Sequence, residues 1–398
     1  MAAHDDRLEK AAPVQIVDTG SRHDAPDIPK DGVALCLSGG GYRAMLFHVG
    51  ALWRLNELGY LPRIARVSSV SGGSITAGVL GLRWSRLAWD ASNVASTFVQ
   101  EIVTPIRALA RQTIDARAII GGLLLPGSIS GKVTSAYGKH LFGAATLQDL
   151  PDAPMFVFNA TSLQTGALFR FSKPYAADYR VGFIPNPRFD LAGVVAASSA
   201  FPPVLSPHRL PIDPRLWAPP SGKKSEDLRS GPYLAEAVLT DGGVYDNLGL
   251  ETAWKAYRTV LVSDGGEKMQ PQAKPHGDWV RLSIRIVNEI DNQVRSLRKR
   301  QLIGSYTLAE SDPLFRKGTY WGTRSDIMNY SVPGALPCPR EQTTALAETP
   351  TRLARLDDLM QERLINWGYA ICDAAMRRHV ALDAGAPSNF PYPAAKVG

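Results

Sequence analysis

Two segments of this chain place a run of very small residues between a strand-length apolar stretch and a helical one. They are Leu37-Ser38-Gly39-Gly40-Gly41-Tyr42-Arg43 and Val67-Ser68-Ser69-Val70-Ser71-Gly72-Gly73-Ser74. Strand-turn-helix junctions of this kind build sheets covered by helices, and the two turns restrict the chemistry as well. A serine on a sharp strand-to-helix turn needs tiny neighbours, because its backbone is strained and the next element passes close by. Gly72 and Gly73 supply that room after Ser71. The first junction offers consecutive glycine N–H groups at a helix N-terminus, where unpaired donors and the helix dipole favour an anion or a developing oxyanion. An oxyanion cradle followed by a nucleophile elbow points to a hydrolase.

The rest of the chain fits one α/β architecture. Residues 33–37, 66–70, 155–159, 237–240 and 259–263 are short, nearly continuous apolar runs. Runs without strict alternation suit a largely parallel sheet buried on both faces, here expected as a three-layer α/β/α sandwich. Helices are expected over residues 42–58, ending at Gly59, and over 75–82. Residues 1–31 are polar and broken by Pro13, Gly20, Pro26 and Pro29, so they read as a flexible tail. Residues 95–150 carry helical stretches without a clear strand, as expected of a helical insertion. Residues 206–232, rich in proline, lysine and serine, read as a long surface loop. After residue 266 the strand signals thin out. Leu353, Leu356, Met360, Leu364, Trp367 and Ile371 then recur at helical spacing, predicting an amphipathic helix over 351–380. The expected organisation is a tail (1–31), a catalytic unit (32–266) and a helical C-terminal extension packed on it (267–398).

Composition narrows the setting. With 45% hydrophobic and 20% charged residues, the 398-residue chain is an ordinary globular protein. Cys36, Cys338 and Cys372 are odd in number and lack metal-like or redox-like spacing, which argues against a disulfide framework and for a reducing, cytoplasmic location. The N-terminal residues lack a secretory signal, and no apolar run approaches the ~20 residues that span a bilayer. Any membrane is therefore met peripherally. The net charge of +7 attracts phosphate-bearing partners without choosing between nucleic acid and anionic lipid.

A serine hydroxyl needs a base. Asp241 is the local candidate, in Leu239-Thr240-Asp241-Gly242-Gly243-Val244-Tyr245-Asp246-Asn247, where a strand ends and two glycines allow close approach. With this third segment the chain resembles the patatin-like phospholipases. Three glycines before Tyr42-Arg43, a serine elbow and a downstream Asp-Gly-Gly occur in that family's order. Ala196-Ala197-Ser198-Ser199-Ala200-Phe201-Pro202-Pro203, Asn159-Ala160-Thr161 and Thr165-Gly166 are also similar to stretches of the family. Ser69 and Ala44 stand where the family commonly has glycine.

The resemblance implies a serine lipid acyl hydrolase that cleaves ester bonds of phospholipids or related lipids. Carried over position by position, Ser71 is the nucleophile and Asp241 its general base. Gly39, Gly40 and Gly41, with the Gly72 N–H, hold the oxyanion. Arg43 steadies that loop or meets a lipid phosphate. No metal or organic cofactor is implied.

Acyl transfer uses the same residues. The rival readings are a Ser-His-Asp esterase, with His276 or His379 as base, and a weakly active lipid-binding or effector-controlled module. His48 is expected to be a satisfied core histidine. Asp264, in a second Asp-Gly-Gly, is expected to cap a turn.

Residues 288–306 place Arg295, Arg298, Lys299 and Arg300 beside Ile290, Val294, Leu297 and Leu302. Such a basic amphipathic helix either rests on anionic headgroups or packs on its own domain with a solvated face. Phe315, Tyr320, Trp321 and Tyr330 read as packed aromatics, and nucleic acid is not an expected partner.

Overall fold

The computed structural model describes residues 29–114, 129–202, 205–218, 228–267 and 269–398. Most of the expected tail lies outside them. In chain order the strands are β1 Lys30–Leu37, β2 Ile64–Ser69, β3 Met155–Ser162, β4 Leu168–Phe171, β5 Tyr175–Asp178, β6 Gly182–Pro185, β7 His208–Pro211, β8 Glu236–Asp241, β9 Tyr257–Asp264 and β10 Lys317–Gly322. The principal helices are α1 Gly41–Glu57, α2 Gly72–Arg83, α3 Thr104–Ala110, α4 Ile129–Tyr137, α5 Leu191–Ser198, α6 Trp279–Tyr306, α7 Arg340–Ala347 and α8 Asp358–His379.

All ten strands form one sheet, in the order β10-β9-β1-β2-β3-β4-β5-β6, with β8 pairing β3 and β7 pairing β8. Strands β10, β9, β1, β2 and β3 are mutually parallel, whereas β4 to β8 join antiparallel. The parallel half is buried on both faces, and β1 shows how. Leu35 and Leu37 join the main core with α1 and α8, while Ala34 and Cys36 join a second cluster with Leu250, Ala253 and Leu302 on the opposite face. Alternation of side chains across a strand thus sends apolar groups both ways, which is why the sequence shows an unbroken apolar run.

Helix α1 lies between the sheet and α8, and nearly all its residues are buried. The two helices approach closely because each offers a glycine to the other. A Cβ on Gly50 would collide with the Ile365 carbonyl oxygen, and one on Gly368 with that of Phe47. Such contact brings backbones nearer than larger residues would permit.

Three elements differ from the sequence expectations. Strand β10 extends the sheet from beyond residue 266, so the C-terminal region is woven into the same sheet. As an edge strand whose Thr319-Tyr320-Trp321 is bounded by Gly318 and Gly322, it carries no long apolar run. Strand β7 lies within the segment expected as loop and pairs with β8 through residues 208–211. It too is an edge strand, and Pro211 closes it. The C-terminal helix begins at Asp358, where the Asp357 side chain caps it by accepting the Met360 N–H, later than the expected 351. Among the described residues no helix is long and apolar enough to cross a membrane.

Candidate active site

Strand β2 ends at Ser69, and the chain turns sharply into α2. Ser71 occupies the turn with φ 51° and ψ −119°, a conformation costly for any residue with a side chain, and it stands at the first position before α2 without its hydroxyl capping the helix. The glycines after it make the turn feasible. A Cβ on Gly72 would collide with the Gly41 carbonyl, and one on Gly73 with the Leu37 carbonyl. The strained turn is also anchored from outside: the Ser71 N–H donates to Ser198 Oγ at 3.1 Å, and the Ser198 hydroxyl donates to the Asn159 carbonyl at 2.7 Å. Ser69, in place of the family's glycine, is accommodated by donating to the Val157 carbonyl and accepting from Ser74.

Asp241 reaches the same place from the other direction. Strand β8 runs antiparallel along β3 with Asp241 opposite Ala160, and β2 runs along the same strand with Ser69 opposite Phe158. The two strand ends therefore meet end to end against β3. The Asp241 backbone is held by its N–H on the Ala200 carbonyl (3.0 Å) and by the Thr161 hydroxyl on its own carbonyl (2.8 Å). The segment containing Ser198 and Ala200 thus ties both turns together.

The side chain of Asp241 is only 1% exposed. Oδ1 accepts the Gly243 N–H at 2.7 Å, while Oδ2 is buried without a formed hydrogen bond. Burial raises the carboxyl to about 7, with Asp291 adding to the rise. The Gly243 amide and the Ser71 hydroxyl pull against it. Ser71 is thus close enough to stabilise the carboxylate, although no in-line hydrogen bond is formed, as is common before substrate binds.

Above this pair lies the glycine loop. Gly40 (φ 144°) and Gly41 (φ 59°) take backbone conformations that favour glycine. Among the described residues the amides of Gly40, Gly41 and Gly72 have no hydrogen-bond partner. Gly39 departs from the expectation for the loop. Its N–H is already taken by Asn247, through the backbone oxygen at 3.1 Å and Oδ1 at 3.2 Å, and a Cβ there would collide with Asn247 and crowd Ser71. Gly39 therefore provides space, and three amides remain free to donate.

Arg43 is fully buried. Its guanidinium donates to the Gly265 carbonyl (3.0 Å), the Thr351 hydroxyl (3.0 Å) and the Thr349 carbonyl, and pairs with Glu267 at 3.5 Å. Burial lowers it to about 10 against the opposing pull of Glu267, so it stays charged at neutral pH. Of its two expected roles, these contacts match steadying the loop. Beside it the Tyr42 N–H donates to the Arg352 carbonyl at 2.9 Å. Residues 349–352 from the C-terminal region thus lie directly against the glycine loop.

The remaining expectations also have places. His48 is buried between the Ser38 carbonyl and the Ser263 hydroxyl, and burial lowers it to about 4, so it is neutral. Asp264 accepts the Gly266 N–H and the Tyr320 hydroxyl. It caps its turn and stays ionised: burial opposes this, but Arg295, Tyr320 and Gly266 hold its carboxyl below the usual range. His379 packs against Tyr330, and among the described residues no histidine hydrogen-bonds to Ser71 or Asp241. Sequence reasoning gave no role to Ser198 or Asn247, although both lie in segments quoted for the resemblance. The signal was their position in those segments, with Asn247 six residues after Asp241.

Ser71 on its strained strand-helix turn, the buried Asp241 and the free amides at the starts of α1 and α2 thus come together at one end of the sheet. The family model for patatin-like phospholipases matches residues 35–254, more than half of the chain, and the chain belongs to that family of lipid ester hydrolases. Among solved structures it is similar to human GIVD cytosolic phospholipase A2. The identity is 14% and the TM-score 0.53, over 90% of this chain and 62% of that one. It also matches VipD from Legionella pneumophila at 17% identity and a TM-score of 0.33, over 88% of this chain and 66% of that one. The chain thus spans somewhat under two thirds of the length of these structures. No curated protein sequence matches it.

Proposed function

We infer that the protein hydrolyses carboxylic esters of phospholipids or related acyl lipids through a Ser71–Asp241 dyad. The observation that carries this reading is that β2, leading into Ser71, and β8, ending at Asp241, stop head to head along β3, with the Asp241 carboxyl raised to about 7. A carboxylate in this state is basic enough to accept the serine proton near neutral pH, which an ordinary aspartate is not.

The steps follow from the positions of the groups. Ser71 Oγ attacks the ester carbonyl carbon while its proton passes to Asp241 Oδ2, the oxygen without a formed hydrogen bond. Negative charge develops on the carbonyl oxygen and is met by the Gly40, Gly41 and Gly72 amides at the N-termini of α1 and α2. Collapse of this intermediate breaks the bond to the alcohol portion of the lipid, which leaves with the proton from Asp241. Asp241 then takes a proton from water as the water attacks the acyl-enzyme, and the fatty acid departs from Ser71 with that proton returned. Arg43 and Asn247 act on the loop that presents the amides and do not touch the reacting atoms.

The test is direct. A fluorophosphonate should label Ser71, and Ser71→Ala should lose ester hydrolysis by ~10³-fold or more while melting at the same temperature. Retention of activity in that variant would end the assignment, as would labelling at any other serine.

A further inference from the structure

Helix α6 presents an apolar stripe to solvent. Residues spaced three, four and seven apart share a helix face, and Trp279, Leu282, Ile286, Ile290 and Leu297 all fall on the side opposite the packed one. That packed side is marked by Arg295, Leu302 and Ser305, all buried. Trp279 is 79% exposed, Ile290 and Leu297 each 58%. The stripe runs for ~27 Å along the helix. A face directed at water is normally polar, so a line of large apolar groups there implies something that covers it.

The charges indicate what that is. The helix carries six basic residues against Glu289 and Asp291. Arg295 and Arg298, two of the four cations the sequence suggested for lipid contact, turn inward. Arg295 pairs with Asp264 at 3.9 Å, and Arg298 pairs with Glu251 at 2.7 Å and Asp246 at 3.5 Å. Lys299 also turns inward, its ammonium over the Tyr320 ring at 4.2 Å, and Arg281 pairs with Asp278 at 2.6 Å, so the cations left beside the stripe are Arg285 and Arg300. Glu289, the acidic residue beside the stripe, is engaged by Gln293. An apolar stripe led by a tryptophan and flanked by cations matches the boundary between acyl chains and anionic headgroups.

We propose that α6 is an in-plane bilayer anchor that seats the protein on anionic membranes through Trp279, Leu282, Ile286, Ile290 and Leu297. The proposal rests on the lipid-hydrolase reading for its purpose, but its evidence is separate. The inner side of α6 packs on the turn Gly243–Asp246, which directly follows Asp241. Arg298 lies over the Tyr245 ring at 5.6 Å, and Asp291 raises the proton affinity of Asp241. Seating α6 on a bilayer therefore places the turn after the general base about one helix diameter, ~10 Å, from the headgroups.

The experiment compares the full chain with Ile286→Glu/Ile290→Glu, two exposed positions outside the catalytic machinery. Sedimentation would use vesicles of phosphatidylcholine alone and of phosphatidylcholine with 30% phosphatidylglycerol (~30 mol% gives a strongly anionic surface). The native chain should bind the anionic vesicles preferentially, and the variant should bind them ~10-fold or more weakly. Both should hydrolyse a water-soluble short-chain ester equally. Equal vesicle binding by the two proteins overturns the anchor, as does native binding that ignores phosphatidylglycerol. A native dimer that the variant dissociates, with no vesicle binding by either, overturns it in favour of a second copy on this face. Loss of soluble-ester hydrolysis by the native chain would instead refute the hydrolase reading, leaving the vesicle result to stand on its own.

Discussion

In the proposed dyad a single buried carboxyl, that of Asp241, governs both activity and stability. Its proton affinity is raised to about 7, so the base form needed for attack is populated only as pH rises through that value. The acid limb of kcat/KM should therefore have an apparent pKa near 7, and a profile flat down to pH 5 would contradict the assigned base. The stability consequence has the opposite sense. Between the unfolded value of ~4 and about 7, the folded state binds a proton that the unfolded chain has released, so stability falls as pH rises through this window. Asp241→Asn removes that penalty. Its melting temperature should exceed that of the native protein at pH 8, and the gap should close towards pH 4. The turns that carry Ser71 and Asp241 were legible in the sequence because each demands small residues beside it. Ser198 and Asn247 were not, because they act through backbone groups more than a hundred residues away, on Ser71 and Gly39.

Among the elements, the parallel core strands and α1 were legible because burial on both faces writes an apolar run into the sequence. Edge strands were not. In β10, tertiary pairing with β9 through residues 317–322 fixes a segment whose local composition is indifferent to strand formation. The α1–α8 crossing is likewise a long-range feature that no local pattern announces, although it depends on single atoms. Gly368→Ala places a methyl group against the Phe47 carbonyl and must spread the two helices, at a cost of ~1–3 kcal/mol. Thermal melting measures this directly. A larger share of the loss should appear as lowered kcat than as raised KM, because α1 carries two of the free amides at its start. An unchanged melting temperature would show that the helices have room to part.

At the scale of the whole molecule, the region after residue 266 completes the fold. It contributes β10 to the sheet, α8 to the cover of α1 and residues 349–352 to the support of the glycine loop. A chain ending at Pro313 would expose the outer face of α1 and leave the Arg43 guanidinium without its Thr349 and Thr351 acceptors. Such a chain should lack a cooperative unfolding transition by calorimetry or circular dichroism. If it melts cooperatively, the sequence-based division at 266 describes an independent unit.

One consequence follows from the way β2 and β8 stop head to head along β3. The spacing between Ser71 and Asp241 is ruled by hydrogen-bond register on a shared third strand, with Phe158 and Ala160 as the graduations. Loops hung from that gauge have no part in setting it. An exposed loop such as residues 90–93 can therefore lengthen, shorten or be exchanged while the Ser71–Asp241 spacing keeps its calibration.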